Sequence, residues 1–508
     1  MLVYACGGAD TRQAARDDSA GQAGEGAAAG TAGAAGTGGA GGNVGTGGSI
    51  NQPLAGMSNG GQAGSGGGAA GAGDAGGAGG AGEAAGAGGA GEAGQGGAEG
   101  GMAGGGGSPS CNETCEVGAC VLEQCLGTTV VSTSVNLSTT PITPERQCAE
   151  GPAFTVTALS ANSATLSEAP GACLAVDDEV LLINLQGSPN AVANVGAWEL
   201  LTVSGVAGNT VSFAGAKTGH YGASSQGDDS IGTGAAQQRV ALVRVPRFGV
   251  LDVAQLGTIT ANPWNGQVGG VIALRAGQLK LAGKIDASVL GYRNGRFSQD
   301  DSSCSDSVTT EAGESIAGVG TASTSANLGA SGGVGAGMGV FNSNSPIGAT
   351  PAHATAGEAG LNFGAREAGT PGSVYGSADG SRLTFGSGPG GGLTCINQAQ
   401  DPVLFSLYFG QAGGIVLVLA DEVSLTETGS ISASPPDAQR DIAFAGGYIL
   451  LRGQSLALGT ERVTALGSAG KGVNGPTLGQ ANHAGNGYIT LDAPRVTGTT
   501  SPVATLLQ

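Results

Sequence analysis

The chain has 508 residues, of which 103 are glycine, with 4% aromatic and 11% charged residues and a formal net charge of −19. That charged fraction is far below the roughly 25% of ordinary soluble domains, and glycine is concentrated before residue 108 and between about 295 and 410, so a uniformly globular chain is excluded and about 400 residues are left to build a core. With no basic run, nucleic acid is not an expected partner. No stretch approaches the roughly 20 apolar residues of a spanning helix, so membrane contact is expected only through a lipid anchor or another protein.

The chain opens "MLVYACGG", with Cys6 where a short apolar tail meets glycine. Val3 and Ala5 fit the end of a bacterial lipoprotein signal, which makes Cys6 the expected lipidation site, while the bulkier Tyr4 fits less well. A full signal also needs a basic region and a longer apolar stretch. The expectation therefore includes a start further upstream, against the alternative that Cys6 is incidental. Residues 7–110 have almost no large apolar side chains and read as a disordered Gly/Ala-rich stalk, unable to offset the entropy of ordering. A flexible coil of about 100 residues has a root-mean-square span of roughly 50–60 Å, enough to lift the folded part of the chain off a membrane.

Residues 111–127 contain Cys111, Cys115, Cys120 and Cys125, at spacings that lack the C-x-x-C knuckle of zinc sites and with no neighbouring histidine. A small disulfide knot is the favoured reading. Cys148 with Cys173, and Cys304 with Cys395, are the natural remaining pairs, although sequence does not fix connectivity. Such bonds imply export.

From 128 to 263 the chain alternates apolar and polar residues in short runs, among them "DDEVLLINLQGS" and "QRVALVRVPRFGVLDV", and "AGNT" at 207–210 suits a tight hairpin turn. This predicts a small β-barrel or sandwich module. From 264 to 508 a different pattern takes over. A glycine pair, a strand with two inward apolar residues, a four-residue gap and two more apolar residues occur at Ile272, Leu274, Leu279 and Leu281. The spacing recurs at Val416, Val418, Val423 and Leu425, then at Ile449, Leu451, Leu456 and Leu458, and in weaker form at Ile489, Leu491 and Val496. The copies lie 144, 33 and 40 residues apart. Units that bury one face only by stacking on one another predict a parallel β-helix or β-solenoid, with 296–409 as a glycine-rich insertion of irregular coils or a loop layer. The overall fold class is thus all-β. Ile449 should point into the ladder, and Tyr448 to the opposite face, where substitution should be mild.

"VDDEVLLINLQG", "VRVPRF", "GKIDASVLGYRNG" and "GGYILLRG" resemble Gly-rich bacterial cell-surface proteins of the PE-PGRS-like or gliding-motility type, over about 128–508. The Pro-Glu head of true PE-PGRS proteins is missing. The resemblance implies an exported surface protein, at the outer membrane or extracellular, and assigns no biochemistry.

An enzyme on a β-helix would be expected to act as a polysaccharide lyase or glycosidase, with paired carboxylates or an Asp beside Arg or Lys. Asp177 with Asp178, Asp228 with Asp229 and Asp300 with Asp301 are the pairs, and each sits in a turn context where Asp is favoured for local hydrogen bonding. "SQDDSSCSD" at 298–306 clusters the oxygens calcium takes, without the spacing of a defined calcium loop. His220, His353 and His483 are far apart and lack metal-ligand spacing. "GSGPGGG" at 386–392 lacks the Lys-Ser or Lys-Thr of a phosphate loop. No cofactor is implied. Tyr292, Arg293, Trp198 and Trp264 are the best exposed-binding residues by type, though so few aromatics more often serve a core. The sequence therefore favours a non-enzymatic adhesion or envelope protein whose partners are surface glycans or other envelope proteins, with a polysaccharide-binding or polysaccharide-cleaving β-helix as the alternative.

Overall fold

The computed structural model describes residues 119–122, 124–144, 146–295, 298–300, 312–320, 350–358, 371–390, 393–395, 410–437, 443–470 and 483–507. The stalk, Cys6, Cys111, Cys115, Cys304, Asp301 and most of the 298–306 cluster lie outside these residues.

The fold is all-β and combines a closed barrel with a parallel solenoid. A hairpin of β1 (Ala119–Val121) and β2 (Gln124–Leu126) places Cys120 opposite Cys125, and both cysteines are disulfide-bonded. It is followed by β3 (Thr128–Val131) and β4 (Ser134–Asn136). The chain then forms β5 (Ala153–Leu159), β6 (Ser163–Leu166), β7 (Glu179–Gln186), β8 (Trp198–Ala207), β9 (Thr210–Phe213) and β10 (Arg239–Val245), which close antiparallel in the order β10-β5-β6-β9-β8-β7. Gly208, at φ +61, makes the two-residue turn between β8 and β9. Phe154, Val156, Leu182, Val203, Val211 and Leu242 fill the barrel, as expected for a closed sheet of this size. The Cys148–Cys173 disulfide ties the loop entering the barrel to the 3-10 turn Gly171–Cys173.

After the barrel come β11 (Arg247–Val253), β12 (Thr258–Thr260), β13 (Val271–Leu281) and β14 (Lys284–Asp286). Short strands β15 (Ser298–Asp300) and β16 (Leu393–Cys395) pair with each other in parallel. Then come β17 (Ile415–Leu425), β18 (Ser430–Ser432), β19 (Tyr448–Arg452), β20 (Ser455–Thr464), β21 (Tyr488–Asp492), β22 (Arg495–Ser501) and β23 (Thr505–Leu507). β3 and β4 pair with β11 and β12 in parallel, so the solenoid begins before the barrel and resumes after it. The sheets therefore do not divide at residue 263: the barrel occupies 153–245, and the strands at 128–136 and 247–260 belong to the solenoid. The alternation that marked those strands is common to both architectures, because each side chain there also faces either a core or the outside.

The repeat read from the sequence is the register of the sheet. Ile272 pairs with Val416, Val416 with Ile449 and Ile449 with Ile489. Leu279, Val423, Leu456 and Val496 form a second column. These columns and the row Val135, Ile259, Ile285, Ile431 and Val463 enclose one continuous apolar core. At the corner entering each level, backbone lies directly on backbone: a Cβ on Gly447 would sit 2.0 Å from the Gly414 carbonyl oxygen, and one on Gly487 would sit 1.8 Å from that of Gly447. Only glycine fits there.

The outer side of the first halves of β13, β17 and β19 is buried as well. Val271, Ala273, Ile415, Leu417, Tyr448 and Leu450 pack with Leu181, Ile183, Ala241 and Val243 of the barrel and with Leu383 and Phe385 of the glycine-rich insertion. Burial on both sides explains why "GGVIALRA" and "GGIVLVLA" read as continuous apolar runs. It also overturns the expectation for Tyr448. The residue does face away from Ile449, but it is fully buried, its hydroxyl donates to the Ser377 carbonyl at 2.8 Å and pairs with Thr490 Oγ1 at 2.8 Å, and burial pushes its phenol up to about 12.

Ile449→Asp should destabilise the protein by several kcal/mol (about 3–5) through an uncompensated buried charge, whereas Tyr448→Phe should cost about 1–3 kcal/mol through the polar partners left unsatisfied. Urea unfolding of the two variants measures both. Wild-type stability for Ile449→Asp would mean that the column is not a core.

Candidate functional site

The three outer faces of the solenoid differ in chemistry. The face carrying β13, β17 and β19 is covered by the barrel. The next carries Gln278, Glu422 and Ser455 outward in register. The third is built by β4, β12, β14, β18 and the ends of β20 and β22, and its outward residues are mostly hydroxyl, amide or carboxyl side chains.

That third face rests on a pentapeptide: "SVNLS" (134–138), "TITAN" (258–262), "KIDAS" (284–288), "SISAS" (430–434) and "RVTAL" (462–466). The second and fourth positions point inward and are buried, as Ile259 and Ala261, Ile285 and Ala287, and Ile431 and Ala433 show. The third position faces out and runs level to level from Asn136 to Thr260, Asp286, Ser432, Thr464 and Ser501, each partly exposed. Hydrogen bonds knit the levels: Thr260 Oγ1 donates to the Asp286 carbonyl at 2.9 Å, Ser288 Oγ lies 2.9 Å from Ser432 Oγ, and Thr464 Oγ1 donates to Ser432 Oγ at 3.3 Å. None of these residues is conspicuous in the sequence, since each is a common polar residue in a strand. The available signal is the pentapeptide itself, which recurs at each level of the core ladder except the last.

On this face lies a trough of about 380 Å³, within the range of about 300–1,000 Å³ typical of small-molecule sites. Thr258, Thr260 and Asp286 line it, with Ser288, Val289 and Leu290 along one corner and Ser434 and Pro436 along the next. Val289 is 47% exposed and offers an apolar wall. Asp286 Oδ1 accepts the Ser288 N–H at 3.0 Å, which fixes the carboxylate while its second oxygen makes no hydrogen bond to the protein among the described residues. A fixed carboxylate beside hydroxyls and a small apolar wall can hold a polyhydroxylated ring, accepting from vicinal hydroxyls while the C–H face rests on the wall.

A second cavity, about 280 Å³, lies where β1, the barrel and the solenoid meet, with Leu200, Arg275, Asp421, Arg452 and Gln454 among its lining. Its cations are already engaged. Arg275 makes a bidentate pair with Glu179 at 2.6 and 2.7 Å, and Arg452 pairs with Asp492 at 2.6 Å.

The residues singled out by type are placed elsewhere. Tyr292 and Trp264 are not exposed platforms: both are buried and pack against Phe385, and the Tyr292 hydroxyl donates to the Leu185 carbonyl at 2.5 Å. Arg293 is chelated by Glu314 at 2.8 and 3.0 Å. Trp198 is half-buried, donates its indole N–H to the Gly380 carbonyl at 2.8 Å and carries the Arg452 guanidinium 6.0 Å from its ring centroid. Large flat side chains are good filler for the seam between barrel and solenoid, and Trp198, Trp264 and Tyr292 are found there.

Asp177 takes a turn conformation at φ +69, while Asp178 binds Arg244 at 2.8 Å and the Ala175 N–H at 2.9 Å. Asp228 pairs with Lys217 at 2.5 Å, and Asp229 caps the Ser224 N–H at 3.0 Å. Asp178, Asp228 and Asp229 are spent on local structure, while Asp177 is exposed in its turn. Of Asp300 and Cys395 the backbone strands alone are described. His220 and His483 are exposed, and among the described residues no three His, Cys, Asp or Glu side chains gather as a metal site. His353 is fully buried between the rings of Tyr375 and Tyr488, at 4.7 and 5.0 Å, with Nδ1 2.7 Å from the Gly446 carbonyl and Nε2 2.8 Å from Thr384 Oγ1. Nδ1 must donate to that carbonyl, and because burial pulls the ring's pKa down to about 4 it is neutral near pH 7, with Nε2 left to accept from the Thr384 hydroxyl.

No family model and no curated protein matches the chain. Among solved structures it is similar to the Gp54 tailspike of Acinetobacter baumannii bacteriophage AP22, determined in complex with A. baumannii capsular saccharide, at 10% identity and a TM-score of 0.15. The match covers 69% of this chain and 58% of the tailspike, less than two thirds of that protein's length.

His353 has a folded-state pKa below its unfolded value, so it favours the folded state fully above pH 6.5 and progressively less as the pH falls toward 4. Between pH 7 and pH 4.5 its share of stability should drop by about 2–3 kcal/mol. The loss should be seen in wild-type protein relative to His353→Gln by chemical denaturation at each pH. Parallel pH profiles would contradict it.

Proposed function

We propose that this is an exported, surface-anchored protein that acts without turnover in adhesion or envelope structure, by holding a surface glycan in the trough of the third solenoid face. The observation that carries the reading is the trough itself, with one fixed carboxylate, Asp286, the hydroxyls of Thr258, Thr260, Ser288 and Ser434, and an apolar wall at Val289 and Pro436. Glycoside hydrolysis uses two carboxylates about 5–9.5 Å apart. The trough lining supplies one, Asp286, which favours binding over cleavage there.

Export is supported by the Cys148–Cys173 disulfide and by the bonded Cys120 and Cys125, since such bonds persist in oxidising compartments. Attachment through a lipid on Cys6, with residues 7–110 as a spacer, completes the proposal, and the resemblance to Gly-rich bacterial surface proteins points the same way.

A glycan array read with the full chain should show binding, and Asp286→Ala should weaken it about 10- to 100-fold, the worth of a hydrogen bond to a charged group. Release of reducing ends from a bound glycan would overturn the reading as a protein without turnover. Recovery of the intact protein in cytosol with free thiols would overturn export.

A further inference from the structure

We infer that the glycan is a linear, neutral polysaccharide that lies along the solenoid axis and crosses successive levels of the third face, with the trough as its central subsite. The inference rests on the glycan-binding reading of the trough and extends it from one sugar to a chain.

The outward column Asn136, Thr260, Asp286, Ser432, Thr464, Ser501 is continuous in register. Strands stack about 4.8 Å apart, so this column is about 24 Å long, far longer than one sugar. The trough occupies its middle, at Thr260 and Asp286. A polymer leaving the trough in either axial direction meets more hydroxyl and amide groups, whereas one leaving along a strand meets a corner after a few residues: β12, β14 and β18 are three residues long. The face therefore favours an axial over a transverse chain. Of the other two faces, one is covered by the barrel and so offers no track.

The electrostatics select against polyanions. Asp286 is the one ionisable side chain lining the trough. Lys284, which precedes it by two residues on the same outward side, and Arg462, at the corresponding position of "RVTAL", are the cations of this face, on a chain whose formal net charge is −19. An acidic polysaccharide would approach against that net charge and bring its own carboxylate to Asp286. A neutral chain meets no such penalty and satisfies the column by hydroxyl-to-hydroxyl bonds.

The test is calorimetric titration of the full chain with neutral glucan, mannan and galactan oligosaccharides of two and six residues, and with hexamers of the matching uronates. The expected result is a disaccharide that binds weakly, a hexasaccharide of the same series that binds about tenfold or more tighter through linked contacts, and a uronate hexamer that binds less well than the neutral one. Thr464→Ala, two levels beyond Asp286, should lower hexasaccharide affinity several-fold and leave disaccharide affinity unchanged, with unaltered thermal unfolding as the control for fold. Equal affinity for both lengths, or no effect of Thr464→Ala on the hexamer, would overturn the axial track while leaving the single-sugar site standing. Preference for the uronates would overturn the neutral assignment. No binding by any oligosaccharide would overturn both the track and the function on which it rests.

Discussion

The structure depends on the close approach of backbone to backbone at the glycine corners. Gly413 could carry no side chain, because a Cβ there would lie 2.0 Å from the Ala433 carbonyl oxygen and 2.2 Å from the Gly447 nitrogen. At that corner the chain enters the level of β17, and its height above the level below sets the register of the strand it leads into. One residue of slip would turn Ile449 outward and Tyr448 inward, and with them every residue of the paired columns. A ladder buried on both sides makes such a slip costly twice over.

The barrel is the second consequence. Because the outer side of the first halves of β13, β17 and β19 is apolar, the solenoid would expose a broad hydrophobic sheet without a cover, and β7 and β10 of the barrel, with Leu383 and Phe385, supply it. The seam is also stitched by partly buried ion pairs, Arg275 with Glu179 and Arg293 with Glu314, the latter also reached by Gln186 of the barrel at 3.2 Å. Burying such pairs costs much of what their attraction returns, so their main effect is on geometry: each bidentate guanidinium accepts one docking angle. The apolar contact holds the barrel on, and the pairs fix where it sits.

The same physics decides how much of this was legible in the sequence. The core ladder was readable at single-residue level, because stacked levels repeat their spacing and Ile272, Val416, Ile449 and Ile489 are large enough to stand out among glycines. The Cys148–Cys173 bond was readable from proximity in the chain. The first levels of the solenoid were not, because β3 and β4 are separated from β11 by the whole barrel, and a pairing across an inserted domain leaves no local trace. Tyr448 was placed on the correct face and given the wrong environment for a related reason: alternation says which way a side chain points, and the partner that covers it comes from residues far away. The third-face column was hidden differently. Ser, Thr, Asn and Asp in a strand carry no individual signal, and only their alignment across "TITAN", "KIDAS" and "SISAS" distinguishes them from solvent-facing filler.

The division of the solenoid into three chemically distinct faces makes the third the one that suits the proposed recognition. On the first, the outward residues are large and apolar because they must bond a barrel to the solenoid. On the second, they are charged or flexible and vary from level to level, with Gln278 beside Glu422 and Lys280 beside Ser424, so no chemistry persists along the axis. On the third, the strands are short, the inward β-branched residues lock the backbone, Thr260, Ser432 and Thr464 are held to their neighbours by hydrogen bonds between levels, and the Asp286 carboxylate is held by the Ser288 N–H of its own level. These side chains lose little further freedom when a ligand arrives, and preorganisation of this kind is what allows modest polar contacts to yield net affinity. A rigid scaffold with a repeating polar edge suits a repeating ligand. The glycine corners that permit the stacking therefore also set the spacing at which that ligand would be read.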